Sequence, residues 1–277
     1  MMKKFVFIDI DGTLYDYKNH CVPESAKQAL RKAKENGHEL FICTGRAKEM
    51  VESVYLELPI SGAVFGCGAH IVFNHQVIYE AHFPLKEMKE LIHTFQENDI
   101  DYALEGTSIS FFSERSMESY KNYYCSNPAS ETGKKFLEGV HMKKYEEMTP
   151  EDECQIIKMA FMTKDRHLMQ NYLDHLPESL EYFVYSDSFS GDMEGEILIK
   201  GADKASSIHR VLEYFHGSIE DTIALGDSDN DVTMIETAHV GVAMGNACDP
   251  LKAKADYITA DVDDDGLYKA FKYLGLI

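Results

Sequence analysis

Positive charge is in short supply. The 277 residues hold 27 lysines and arginines against 47 aspartates and glutamates, a formal net charge of −20. A chain this acidic repels nucleic acid and anionic membrane surfaces at long range, and no basic stripe offsets it, so neither is an expected partner. Long hydrophobic runs are missing as well. The basic start, Met1 to Lys4, leads into Phe5-Val6-Phe7-Ile8, but Asp9 and Asp11 end that run. It is shorter than the about 7–15 apolar residues of a signal peptide or the roughly 20 of a membrane helix. Six cysteines, at 21, 43, 67, 125, 154 and 248, include no C-x-x-C pair, so zinc ribbons and thioredoxin motifs have no support. Without an export signal, reduced thiols in the cytoplasm are the expectation, most of them small core residues. Low-complexity tracts and repeats are also lacking. A content of 44% hydrophobic and 27% charged residues suits a globular chain of one large domain or two moderate ones.

Both ends of the chain alternate strand and helix. Residues 5–10 form a short apolar run, the pattern of a strand buried on both faces. A helix is expected from Pro23 to about Asn36, with Ala26, Ala29, Leu30 and Ala33 as its stripe and Gly37 beyond its end. Leu40 to Cys43 follow as a second strand, completing a βαβ unit and implying a parallel sheet. The pattern continues with a helix over 47–58, a strand over 63–65 and a hairpin over 70–80. Near the other end it resumes with helices over 203–216, 229–236 and 264–274 and strands over 222–225 and 240–243.

The middle reads differently. An amphipathic helix over 84–98 carries Leu85, Met88, Leu91, Ile92 and Phe95. Strands over 101–104 and 108–112 pair as a hairpin. A helix over 115–124, a strand over 155–162, a helix over 165–176 and a strand over 181–186 follow. Segregated strands and helices indicate an α+β module. The expected organisation is therefore an α/β core of residues 1–83 and 192–277, a Rossmann-like parallel sheet with helices on both faces. Residues 84–191 would form an inserted α+β cap. Ser188 to Asp192 are a candidate hinge between the two. Tyr120, Tyr123 and Tyr124 are candidates for the cap's inner face.

Four features fall at carboxyl ends of expected strands or at a helix start. They are Asp9-Ile10-Asp11-Gly12-Thr13, Thr44-Gly45-Arg46, Lys204, and Gly226-Asp227-Ser228-Asp229-Asn230-Asp231. Each alone has an ordinary explanation: Asp-Gly as a turn, Ser228 or Asp229 as an N-cap, a lysine as a solvated charge. Together they converge on the crevice where open parallel sheets bind ligands. Asp9, Asp11, Asp227 and Asp231 would meet there, and two carboxylates about 4 Å apart repel by about 4 kcal/mol at an effective dielectric of 20. A cation or a retained proton is required. The all-oxygen donor set favours a hard ion, Mg²⁺ rather than zinc. Thr44 would offer a hydroxyl and a backbone N–H to a phosphoryl group, and Lys204 a point charge. Gly12 and Gly45 would let the backbone approach closely. Asp9 then reads as a carboxylate nucleophile and Asp11 as the group that protonates the leaving oxygen and deprotonates water.

These residues, in this order, resemble the haloacid dehalogenase superfamily of phosphohydrolases. The middle segment, Cys43-Thr44-Gly45-Arg46, the stretch Gly241 to Ala247 and Asp263-Asp264-Asp265-Gly266 are similar to its Cof-type sugar-phosphatase subfamily. The resemblance covers essentially the whole chain. It implies a phosphatase acting on small phosphorylated metabolites through an aspartyl-phosphate at Asp9, with Asp11 as general acid and base. Thr44, Lys204 and Asn230 would hold the phosphoryl group. Mg²⁺ would be held by Asp9, the Asp11 backbone carbonyl and Asp227, supported by Asp231. Gly45, Arg46 and Asn246 would lie beside the pocket. Cys67-Gly68-Ala69 departs from the family's usual Asn-Gly-Ala. A phosphomannomutase-like phosphotransferase shares the cap type and first motif and remains an alternative. A non-catalytic phosphometabolite sensor has no use for an intact Asp9 and Asp11. A response-regulator receiver places its lysine last, unlike Lys204.

Overall fold

The computed structural model describes residues 2–51, 58–126, 141–185 and 192–277. Its strands are β1 (Phe5–Ile8), β2 (Glu39–Cys43), β3 (Gly62–Phe65), β4 (His70–Phe73), β5 (Gln76–Glu80), β6 (Asp101–Gly106), β7 (Ser110–Phe112), β8 (Met142–Lys144), β9 (Ile156–Thr163), β10 (Leu180–Val184), β11 (Met193–Ile199), β12 (Thr222–Gly226), β13 (Val240–Ala243) and β14 (Tyr257–Ile258). They form two sheets in two units. The first unit comprises residues 1–45, 53–80 and 203–277, and the second residues 46–52 and 81–202.

The first unit holds an eight-stranded sheet in the order β14-β13-β12-β1-β2-β3-β4-β5. From β14 to β3 it is parallel, and β4 and β5 add an antiparallel edge. Every residue of β1 is buried, as a central strand covered on both faces must be. Successive side chains alternate between those faces. Phe7, Phe41 and Ala224 pack with Ile208, Val211 and Met234 from the helices Lys204–Phe215 and Val232–Thr237. Helix Glu24–Glu35 lies against β2 and against helix Gly266–Tyr273. Its buried residues are Ala26, Ala29, Leu30 and Ala33, the stripe expected from the periodicity. Leu30 is fully buried, worth on the order of 2 kcal/mol of hydrophobic stabilisation.

The second unit is a six-stranded sheet, β10-β11-β9-β6-β7-β8, antiparallel except for the β7–β8 pair. Helices Leu85–Glu97 and Arg166–Leu173 cover one face, where Phe95, Leu104, Phe111, Met159 and Ile197 form the core. Other positions of the sheet are unexpectedly polar: Lys158 is buried between Glu105 (3.1 Å) and Glu196 (2.6 Å). Tyr120 packs on Phe112 at 5.5 Å between ring centres and its hydroxyl contacts the Met50 sulfur. The side chains of Tyr123 and Tyr124 lie outside the described residues.

Several expectations shift. The boundary expected at 191/192 falls at 202/203, because β11 pairs with both β9 and β10 and so completes the second sheet. The boundary expected at 83/84 falls at 80/81, and Arg46–Glu52 joins the second unit. The expected helix over 47–58 is replaced at its start by a single 3-10 turn, Lys48–Met50, after which Val51 is extended. Residues 52–57 lie outside the described residues, as do Ser188 to Gly191 of the candidate hinge. The first strand ends at Ile8, because the chain turns sharply after Asp9.

Candidate active site

Asp9 continues the ladder one residue past β1: its N–H donates to the Leu225 carbonyl at 3.0 Å. That bond fixes a buried carboxylate, 4% exposed, at the end of the sheet. The chain then folds back on Ile10, whose carbonyl accepts from Thr13 (3.3 Å), Leu14 (2.9 Å) and Tyr15 (2.7 Å). This turn sets Gly12 at φ +84°, and a Cβ there would overlap the Asp227 carboxylate. Glycine is therefore needed both for the left-handed backbone and for the approach of Asp227. The Thr13 hydroxyl donates to Asp227 Oδ1 at 3.3 Å.

Lys204 opens the helix that follows Asp203. The Asp203 side chain accepts from the Ser206 N–H at 2.6 Å and caps that helix. Lys204 Nζ is buried, 2.7 Å from Asp9 Oδ1, 2.6 Å from Asp231 Oδ1 and 3.4 Å from Asn230 Oδ1. The other Asp231 oxygen accepts from the N–H groups of Asp227 (3.1 Å) and Ser228 (3.2 Å) and from the Ser228 hydroxyl (3.3 Å). Asp231 is thus an anchor for the loop as well as a charge. Gly226 permits this, since a Cβ on it would come within 2.6 Å of the Asp231 side chain.

The charges do not balance. Burial, chiefly, and the charge of Asp231 hold the Asp9 carboxyl well above the usual carboxylate range, against the pull of Lys204. Burial and Asp231 likewise push Asp227 up to about 7. Burial alone would lower the Lys204 ammonium, but Asp231 and Asp9 outweigh it and raise it. Carboxylate oxygens of Asp9, Asp227 and Asp231 lie within 4.8 Å of one another. A convergent, all-oxygen, undercompensated set fits a hard divalent cation. The Asp11 side chain is outside that trio; its Oδ1 accepts from the Tyr17 hydroxyl at 2.6 Å.

The remaining candidates divide. Thr44 is buried at the end of β2, but its N–H donates to the Val64 carbonyl (2.9 Å) and its own carbonyl accepts from Cys67 (3.1 Å). The expectation that its backbone N–H serves a phosphoryl group is thereby corrected: the sheet already uses that donor. The Asn230 carbonyl oxygen faces Lys204 and accepts from the Ser228 hydroxyl at 2.9 Å. A Cβ on Gly45 would lie 3.3 Å from the Cys67 sulfur and 3.7 Å from Asn230 Nδ2, which places Gly45 against the cluster. Cys67 is left-handed, φ 56°, a conformation that suits asparagine well and other side chains poorly. Asn246 braces loops: its amide donates to the Gly12 carbonyl at 2.8 Å, and its oxygen accepts from the Val262 N–H at 2.9 Å. Arg46 belongs to the second unit. Three contributors had no assigned role in the sequence. Thr13 sits inside the first motif, Ser228 reads as a plain helix cap, and Tyr17 has no sequence signal at all.

Comparison with known proteins identifies the family. A family model described as haloacid dehalogenase-like hydrolase matches residues 6–271. YkrA of Bacillus subtilis strain 168 is 31% identical, with each chain covered in full. The 5-amino-6-(5-phospho-D-ribitylamino)uracil phosphatase YcsE of the same organism is 28% identical over 98% of this chain and 95% of its own. The solved structure of the subclass IIB sugar phosphatase BT4131 is 27% identical and superposes with a TM-score of 0.81, covering 99% of this chain and 100% of that one.

Proposed function

The chain belongs to the haloacid dehalogenase superfamily as a Cof-type hydrolase of phosphoric monoesters, and from that premise we propose that it dephosphorylates small phosphorylated metabolites, sugar phosphates among them, through a phosphorylated Asp9. The observation that carries this reading is Lys204, buried between Asp9 and Asp231 beside Asp227 at the carboxyl ends of β1 and β12.

A carboxylate oxygen of Asp9 attacks phosphorus, and the bond from phosphorus to the leaving oxygen breaks. Asp11 gives its proton to that oxygen. Water then attacks the aspartyl phosphate, Asp11 takes a proton from it, and phosphate leaves with Asp9 restored. Lys204, the Thr44 hydroxyl and Asn230 hold the phosphoryl oxygens, while the Ile10 turn and Asn246 keep Gly12 and its neighbours in place. Asp9, the Asp11 backbone carbonyl and Asp227 are the groups that would hold Mg²⁺, with Asp231 behind them. Bound there, the ion supplies the positive charge that the cluster lacks and that a phosphate dianion requires.

The test is hydrolysis of p-nitrophenyl phosphate with MgCl2, with EDTA, and by Asp9→Asn. Activity that depends on added metal and disappears in Asp9→Asn is expected. Substantial turnover by Asp9→Asn would remove the nucleophile from the scheme.

A further inference from the structure

The loop after the first motif is built to present one side chain. Asp16 is buried, 2% exposed, and exchanges backbone hydrogen bonds with Cys21 at 2.9 and 3.2 Å. Its Oδ1 accepts from the N–H groups of Lys18 (2.8 Å) and Asn19 (3.2 Å), and its Oδ2 accepts from the Asn19 amide at 2.6 Å. His20, at φ 51°, closes the turn. Next along, Lys18 Nζ lies 2.7 Å from Asp263, and Asp263 follows Val262, whose N–H is held by the same Asn246 that grips Gly12.

Tyr17 stands between these two fixed points. Its ring meets Tyr15 edge-on, 5.3 Å between centres and 89° between planes. It is 48% exposed, so burial does not explain why the fold secures it from both sides. Its hydroxyl explains it better: it donates to Asp11 Oδ1 at 2.6 Å.

We propose that Tyr17 is a positioning residue for proton transfer, holding the Asp11 carboxyl through Oδ1 in the orientation from which it serves the leaving oxygen. The inference rests on the reading of Asp11 as the general acid. A donor on Oδ1 fixes the carboxyl plane, which matters because proton transfer falls steeply with misalignment. Lys18–Asp263 and the Asp16 turn serve this by holding the loop, which gives the Asp263-Asp264-Asp265-Gly266 stretch a mechanical link to the first motif.

The experiment compares Tyr17→Phe with the wild type on two substrates of nearly equal shape. Phenyl phosphate has a leaving group that needs a proton, and p-nitrophenyl phosphate has one that departs readily without it. Tyr17→Phe keeps the ring and its contact with Tyr15. The expected result is a kcat/KM about tenfold lower on phenyl phosphate and lowered less than about threefold on p-nitrophenyl phosphate. In an Asp11→Asn background, Tyr17→Phe should add no further loss on either substrate, because it acts through Asp11. Equal losses on the two substrates, no loss, or a further loss in the Asp11→Asn background would each overturn the proposal. If Asp11→Asn alone shows no preference between leaving groups, the reading of Asp11 as the acid has failed instead, and Tyr17 loses its role with it.

Discussion

Replacing Lys204 by methionine removes the ammonium from between Asp9 and Asp231 and substitutes an apolar chain of similar length. The Lys204 side chain is 1% exposed and those of its partners 6% and 0%, so solvent screens neither pair. Breaking a buried pair by deleting one partner costs about 3–5 kcal/mol, because the remaining charge is stranded. With a urea slope of about 2–3 kcal/mol per molar, the midpoint should fall by about 1–2.5 M. The chain has no tryptophan, so far-UV circular dichroism in EDTA is the suitable probe. Asp9 already sits well above the usual carboxylate range and takes up a proton as pH falls. The deficit should therefore shrink as pH is lowered. Adding Asp231→Asn removes one stranded charge, so the double variant should be more stable than the sum of the two single losses, by about 0.5–3 kcal/mol. Strictly additive losses, or a Lys204→Met protein as stable as wild type, would refute charge compensation and leave Lys204 a phosphate ligand alone.

Gly12→Ala puts a Cβ into the Asp227 carboxylate and a side chain on a backbone at φ +84°. Metal-dependent hydrolysis of p-nitrophenyl phosphate should fall at least about 100-fold, with secondary structure retained by circular dichroism. The metal-free protein should become less stable as pH rises from about 4 through about 7. The folded state keeps on Asp227 a proton that an unfolded carboxylate has already released, and the corresponding stability is lost as the site titrates near 7. The melting temperature in MgCl2 minus that in EDTA should thus widen from about pH 5 to about pH 8; a pH-independent difference would sink this account.

Much of the site was legible because its chemistry is local. Asp9-x-Asp11-Gly12 follows a strand, and the turn that places both carboxylates is formed by residues 10–15, through hydrogen bonds on the Ile10 carbonyl. Lys204 sits beside its own N-cap, Asp203. Thr44 is an exception: whether its N–H is available depends on Val64, a residue of another strand. The start of the helix expected over 47–58 is a 3-10 turn for a similar reason. Its residue types suit a helix, but in the structure the Ala47 N–H donates to Glu105 (3.2 Å) and Ser110 donates to Glu49, partners far along the chain that hold the segment against the second unit's sheet. Half-buried Glu49 is pushed up to about 7 there by desolvation, an environment that nothing near it in the sequence signals.

The second unit shows where local pattern ceases to decide. The stripes on Leu85–Glu97 and Arg166–Leu173 announce two amphipathic helices, since an apolar face must be buried wherever it lies. They do not say that Met193–Ile199 crosses back to pair with Ile156–Thr163, and the unit boundary moves by eleven positions on that pairing. By itself, the sequence determined the α/β core, the order of its motifs and the identity of the acids, because periodicity, caps and turns act over a few residues. The tertiary structure alone decided which acid each donor serves: Lys204 with Asp9 and Asp231, Thr13 with Asp227, Tyr17 with Asp11. Hydrogen bonds and ionisation depend on distances of a few ångströms, and two of these four pairs are separated by about 200 residues of chain.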